Sequence, residues 1–349
     1  MRFIGSKILL LEEIEKVILS NIKSIEDLSF CDMFSGTASV ARYFKKDFKI
    51  LSNDLLCFSY ILQKATIENN NIPKFNKLKE ILNIDPIKYF NNIEVTINML
   101  NAKPFIYENY SPNEKSERLY LSNKNALKID YIRQKIEEWR GDRYIDDREY
   151  FYLIASLIEA IPYVSNIAGT YGAYLKHWDK RSFKDIELLD FDILDNKKEN
   201  SSFNQNANSL VFSINGDILY IDPPYNHRQY APNYHLLETV ARYDNPEIYG
   251  VTGMRPYDDI KSQYCVKKKV LSEFEKLIEV ANFRYIVISY STEGIMSEKD
   301  IEGVLKSYGK KETYSLTKIP YRRYKHRAGH IEHNLEELIF FIEKRVNAR

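Results

Sequence analysis

The sequence predicts an α/β fold: a sheet with helices on both faces, interrupted by a long, mainly helical insert. Three observations carry that prediction. A strand, a tight turn of small residues, a helix and a second strand follow one another over residues 28–54. An apolar run, Asp217 to Ile221, reads as a buried strand and stops at Asp222-Pro223-Pro224-Tyr225. Between these, residues 71–194 carry weak strand signals and several helical patterns, so the strand-bearing parts divide as 1–70 and 195–349 around an insert.

Composition sets outer bounds. A chain of 349 residues is long enough for one large or two medium domains. Its 50 basic and 49 acidic residues nearly cancel, so local patches decide whether a polyanion is a partner. The three cysteines, Cys31, Cys57 and Cys265, are scattered and form no C-x-x-C pair, which argues against a zinc knuckle or a disulfide framework. A reduced, cytoplasmic protein is expected. The early apolar run is broken by Glu12, Glu13 and Glu15, and no stretch approaches the roughly 20 apolar residues of a membrane span, so no membrane association is expected.

In chain order, Phe3-Ile4-Gly5-Ser6-Lys7 precedes a helix marked by Ile8, Leu11, Ile14, Val17 and Ile18. Leu28 to Asp32 reads as a strand, and Phe34-Ser35-Gly36-Thr37-Ala38 as a turn that lets backbone approach a ligand at a helix start. It is neither a P-loop nor a complete G-x-G-x-x-G. Lys49 to Asn53 is a second strand tipped by Asp54, 22 positions after Asp32. An acid about 20 residues on takes ribose hydroxyls in nucleotide-binding sheets, although Asp there can also simply cap a helix.

Helices are expected near Leu78–Phe90, Ile129–Trp139 and 148–161, the last ending at Pro162. Val164 to Trp178 interleaves Gly169, Gly172, Tyr171 and Tyr174 with Lys176, as a loop or hairpin on a nucleic acid would, or as an ordinary surface hairpin. Residues 196–206 read as a polar loop. The Asp-Pro-Pro-Tyr turn has no N–H at either proline to extend a ladder, and so leaves carbonyls clear of the sheet. Read alone, it is equally an ordinary strand end. Polar Asn226 to Tyr230 follows, then helix 236–243, a strong strand at 284–291, and a basic block, Lys318 to His330, that includes Arg322, Arg323, Lys325 and Arg327. Glu337 to Ile342 closes the chain as a buried strand.

These segments together resemble the D12-class (Dam-like, α-group) adenine-N6 DNA methyltransferases. The resemblance is carried by residues 3–7, by Asp32-Met33-Phe34-Ser35-Gly36-Thr37, by Asp54 and, most specifically, by Asp222-Pro223-Pro224-Tyr225. Asn166 to Gly172, Ser289 to Gly294 and Tyr321 to Lys325 also look like family segments.

The resemblance implies a Rossmann-like methyltransferase sheet with a target-recognition insert, S-adenosylmethionine as cofactor and double-stranded DNA as partner, in a modification enzyme with a cognate restriction endonuclease. It implies that Lys7 meets the methionine carboxylate, that Asp54 takes the ribose, and that Asp32, Phe34, Ser35, Gly36 and Asn206 line the cofactor. Asp222, Pro223, Pro224 and Tyr225 would be catalytic. Asn166, Gly169, Tyr171, Lys176, Arg228, Arg322, Arg323, Lys325 and Arg327 would contact DNA. No metal is expected.

The chain departs from the family pattern twice. Ala38 stands where a second glycine is usual, and Asn206 stands for an acid, which predicts weaker hold on the cofactor's adenine. The rival readings are an RNA adenine or cytosine-N4 methyltransferase and a catalytically silent nucleic-acid-binding module.

Overall fold

The computed structural model describes residues 4–320 and 335–345. The chain divides into two compact units. One comprises Lys7–Leu55, Asn196–Gln229 and Lys261–Arg349; the other comprises Met1–Ser6, Leu56–Asp195 and Tyr230–Ile260.

Among the described residues of the first unit, seven strands form one sheet: β1 (Ser29–Asp32), β2 (Lys49–Asn53), β3 (Ser201–Phe203), β4 (Asn215–Ile221), β5 (Asn282–Ser291), β6 (Ser315–Pro320) and β7 (Glu336–Glu343). Their order is β3-β2-β1-β4-β5-β7-β6. β7 runs antiparallel to both neighbours, and the other pairings are parallel. The Rossmann-like expectation is met. The chain moves outward from β1 to β3 and then returns to lay β4 beside β1. Strand order therefore reverses between β1 and β4, and ligands of such sheets bind in the crevice beyond those carboxyl ends.

Both faces are covered because both carry apolar side chains. On one face Cys31, Leu219, Ile221, Ile286, Ile288, Phe340 and Ile342 pack against Phe274, Leu277 and Ile278 of helix Val270–Val280 and Ile301 and Leu305 of helix Glu298–Tyr308. On the other, Phe30 stacks on Phe44 of helix Ser39–Phe44 at 4.6 Å and on Tyr220 at 5.8 Å. Helix Leu11–Asn21 packs against β7 on this side, with Ile14, Val17 and Ile18 buried. Each such buried side chain contributes about 1.5–3 kcal/mol.

The second unit is helical. Its longest elements are Asn123–Gly141 and Asp147–Val164, the latter opened by a capping box between Asp146 and Glu149. It takes in more chain than residues 71–194, because Cys57–Gln63 and His235–Arg242 also belong to it. A charge explains this. Glu238 is fully buried and accepts the backbone N–H groups of Cys57 and Phe58 at the start of their helix, both at 3.1 Å, while Arg242 pairs with it at 2.7 Å.

Three sequence expectations change here. Pro162 does not end its helix, which runs on to Val164. The stretch 78–90 is two helices, broken at Asn83 with φ 54°. Residues 164–178 contain no strand among the described residues, so the loop reading holds over the hairpin. No helix among the described residues is long and apolar enough to cross a membrane.

Candidate active site

The site is built at the carboxyl ends of β1, β2 and β4. β4 ends at Ile221, and Asp222 is the next residue. The Lys7 ammonium, from the turn before helix Leu11–Asn21, lies 3.0 Å from Asp222 Oδ1 and 3.7 Å from Glu337 Oε2 of β7. Lys7 is 3 % exposed. The Tyr225 ring centre is 5.9 Å from the same ammonium. The Tyr225 carbonyl accepts the Ile295 N–H at 2.9 Å, which ties the Asp-Pro-Pro-Tyr segment to the turn after β5.

Burial here outweighs ordinary acid–base preferences. It pushes the Asp222 carboxyl up to about 6; Lys7 works against that rise and Glu337 adds to it. Burial also works against the Lys7 ammonium, but Asp222 and Glu337 together leave it above its usual value. Asp32, one strand over, is pushed up to about 8 by burial and by the Asp222 charge, against a bond from the Ala41 N–H. Its Oδ1 has no hydrogen-bond partner among the described residues.

The first turn is held by hydrogen bonds from neighbouring strands. Met33 N–H donates to the Tyr220 carbonyl at 3.1 Å, Ser35 N–H to the Asn53 carbonyl at 2.9 Å, and Gly36 N–H to Asp54 Oδ2 at 2.8 Å. Ser35 Oγ donates to the Asp32 carbonyl at 2.8 Å. Phe34 meets Tyr264 edge-on at 5.0 Å. Gly36 and Ala38 both take left-handed backbone, with φ 52° and 60°. Ala38 is thus strained where glycine would not be.

Asn53 joins the three strand tips. Its Nδ2 donates to the carbonyls of Met33 and Gln205, both at 3.1 Å, and its Oδ1 accepts the Gln205 N–H at 3.1 Å.

Phe34, Ser35, Gly36, Asp54 and Asp222 thus gather on one edge of the sheet. Asp32 does not reach that edge's surface: at 1 % exposure it lies beneath the turn and braces it. Asn206 is exposed, and its side-chain oxygen caps helix Ala207–Leu210 through the N–H groups of Asn208 and Ser209. Lys7, expected at a methionine carboxylate, has its ammonium on Asp222 instead.

Of the residues expected at DNA, Arg228 and Lys176 are exposed and Gly169 is half-buried, with φ 147°. Asn166 and Tyr171 are buried, with their polar groups turned to the loop and its neighbours. Asn166 Nδ2 donates to the Leu175 carbonyl and its Oδ1 accepts the Asp179 N–H, closing the loop around itself. The Tyr171 carbonyl accepts from the Tyr120 hydroxyl at 2.7 Å, and its hydroxyl lies 3.1 Å from Ser165 Oγ. Arg322, Arg323, Lys325 and Arg327 lie outside the described residues. Glu337 and Asn53 escaped the sequence reading. An acid opening a buried strand was the available signal for Glu337, whereas an Asn at a strand tip has no distinctive pattern.

The donor set suits a ribose-bearing ligand. A half-buried acid at the tip of β2 matches a ribose diol, and a left-handed glycine turn brings backbone close to a ligand.

The model of the family described as D12 class N6 adenine-specific DNA methyltransferase matches residues 3–304. The chain is 52% identical over 344 residues to the Type II methyltransferase M.FokI of Planomicrobium okeanokoites, an alignment covering 99% of this chain and 53% of that protein. It is 46% identical over 345 residues to the modification methylase StsI of Streptococcus sanguinis, covering 99% and 52%. With the Type II methyltransferase M.NlaIII of Neisseria lactamica it shares 39% identity over 329 residues, covering 93% and 92%. The chain therefore spans about half the length of the first two relatives and nearly all of the third.

Proposed function

Because the chain belongs to the D12 class of N6 adenine-specific DNA methyltransferases, we propose that it methylates N6 of a specific adenine, flipped out of duplex DNA, as the modification enzyme of a cytoplasmic restriction–modification system with a partner endonuclease. The observation that carries this reading is Asp222, a half-buried acid paired with buried Lys7 on a proline-stiffened turn at the point where strand order reverses.

When bound, S-adenosylmethionine supplies a methyl group made electrophilic by its sulfonium. Asp54 would hold its ribose, and Phe34 to Gly36 its methionine part. The chain's own work is to make a poor nucleophile good. The N6 lone pair of adenine is delocalised into the ring. The Asp222 carboxylate and the Pro223 carbonyl accept the two N6 hydrogens, which draws the lone pair out of conjugation and aims it. Tyr225 stacks on the flipped base, returning about 1–3 kcal/mol of the few that flipping costs. Asp222 then takes the proton that N6 must lose. Lys7 keeps the carboxylate oriented. Fixing these groups before the reaction is the main source of rate. The helical unit is the candidate reader of DNA sequence, through Gly169, Lys176 and their neighbours.

The test is tritiated methyl transfer to duplex DNA together with cofactor binding by calorimetry. D222A is expected to abolish transfer and keep cofactor affinity, whereas D54A is expected to weaken that affinity. Transfer retained in D222A, or an unchanged affinity in D54A, refutes the respective role. Comparing duplex DNA with RNA of the same sequence tests the substrate.

A further inference from the structure

Two acids on different strands share the Lys7 ammonium: Asp222, just past β4, at 3.0 Å, and Glu337, on β7, at 3.7 Å. One counter-charge is enough for a buried lysine. A second carboxylate beside it leaves the cluster net negative in a poorly solvated place, which costs stability. Glu337 is 9 % exposed, and its Oε2 accepts no hydrogen bond among the described residues. The pairing of β7 on both sides, with Glu337 opposite Ser291 on β5 and Ile319 on β6, fixes the face of the sheet from which its side chain leaves.

We propose that Glu337 is a positioning residue for methyl transfer: by holding the Lys7 ammonium partly to itself, it leaves the Asp222 carboxylate able to accept the N6 proton. This rests on the role of Asp222 given above. Asp222 receives one N6 proton as the N–C bond forms, while the departing sulfur keeps the electron pair of the broken C–S bond. An ammonium wholly committed to Asp222 would stabilise the anion and blunt it as an acceptor. A competing anion on the far side of that ammonium weakens the hold without removing it.

The charged or titratable groups that bear on this cluster are Lys7 from the turn before helix Leu11–Asn21, Tyr220 from β4, Tyr225 after it, Asp32 from β1 and Glu337 from β7. Of these, Glu337 opposes ionisation of Asp222 and also touches its counter-ion, whereas the Asp222 charge acts in turn on Asp32.

The test uses carbon-13 NMR titration of side-chain carboxyls in the cofactor-free protein, with D222N to assign the Asp222 signal, alongside the pH profile of kcat on duplex DNA. In E337Q the Asp222 midpoint is expected to fall by on the order of one pH unit. The acid limb of the kcat profile should follow it. E337D, which keeps the charge but shortens its reach, should move both less and in the same direction. A purely structural Glu337 would alter melting and leave the midpoint in place, so an unmoved midpoint in E337Q overturns the proposal. Should E337Q not fold, E337D is read in its stead, and an unmoved midpoint there overturns it equally. Failure of the underlying reading shows elsewhere, as transfer retained in D222A.

Discussion

Ala38 shows how much one residue can be read for. In size, alanine is the least intrusive replacement for the glycine usual there. In the fold the difference is a conformational matter. With φ 60° it holds the left-handed backbone that lets Ser35 and Gly36 turn toward Asn53 and Asp54. An L-residue there carries about 1–2 kcal/mol of strain, partly offset by the lower entropy of its unfolded state. A38G should therefore raise stability by about 0.5–1 kcal/mol in urea unfolding, with the fold unchanged. A loss of stability would show that the strain is absent.

At the scale of elements, Asn53 is the hinge pin of the site, because it fastens the turn after β1 to the loop after β3. N53A should leave the Met33 and Gln205 carbonyls and the Gln205 N–H without their partner, costing about 3 kcal/mol. Cofactor affinity should fall with it, since the loops on both sides of β2 lose their mutual register. Chemical denaturation and calorimetry on the same protein check both, and unchanged values for the two would remove Asn53 from the site.

The elements that packing dictates were legible in the sequence. β1, β2, β4, β5 and β7 are apolar runs with sharp ends, and the proline pair after β4 marked the reactive edge. β3 and β6 were not legible, for a common reason. Both lie at sheet edges, are half-exposed, and carry polar residues such as Ser202 and Lys318 that keep an edge from recruiting another strand. The helix His235–Arg242 was legible as a helix, but its unit was not, because that depends on a single buried acid, Glu238, reaching the start of a helix some 180 residues earlier. Asn166 and Tyr171 were visible as a motif, whereas the direction in which their side chains point is a property of the folded loop.

At the scale of the whole molecule, the buried acids couple stability to pH. Asp32 at about 8 and Asp222 at about 6 both lie above the unfolded value near 4. Between those limits the native state holds more protons than the unfolded chain, so their contribution to stability is greatest at low pH and falls as pH rises from about 4 to about 8. Buried Asp130, pushed up to about 7, adds to the fall below that pH, so the part above about pH 7 belongs to Asp32. D32N should lessen the decline of Tm throughout pH 4 to 8 and most nearly abolish it between pH 7 and pH 8. An unaltered slope would mean that Asp32 is ionised throughout.

The reversed direction of β7 has a consequence for how such a molecule can change. In a wholly parallel sheet a strand leaves by the reactive edge and the next one enters from the opposite side. Here β6 ends at Pro320 and β7 begins at Glu336, the two paired across the ladder on the same edge as Asp222. The described ends Pro320 and Glu336 are therefore fixed at the edge of the sheet where Asp222 stands, and the sequence between them carries Arg322, Arg323, Lys325 and Arg327. Changes of length between those two ends leave the register of β6 on β7 untouched. One backward strand thus brings both ends of a connection to the edge that holds Asp222.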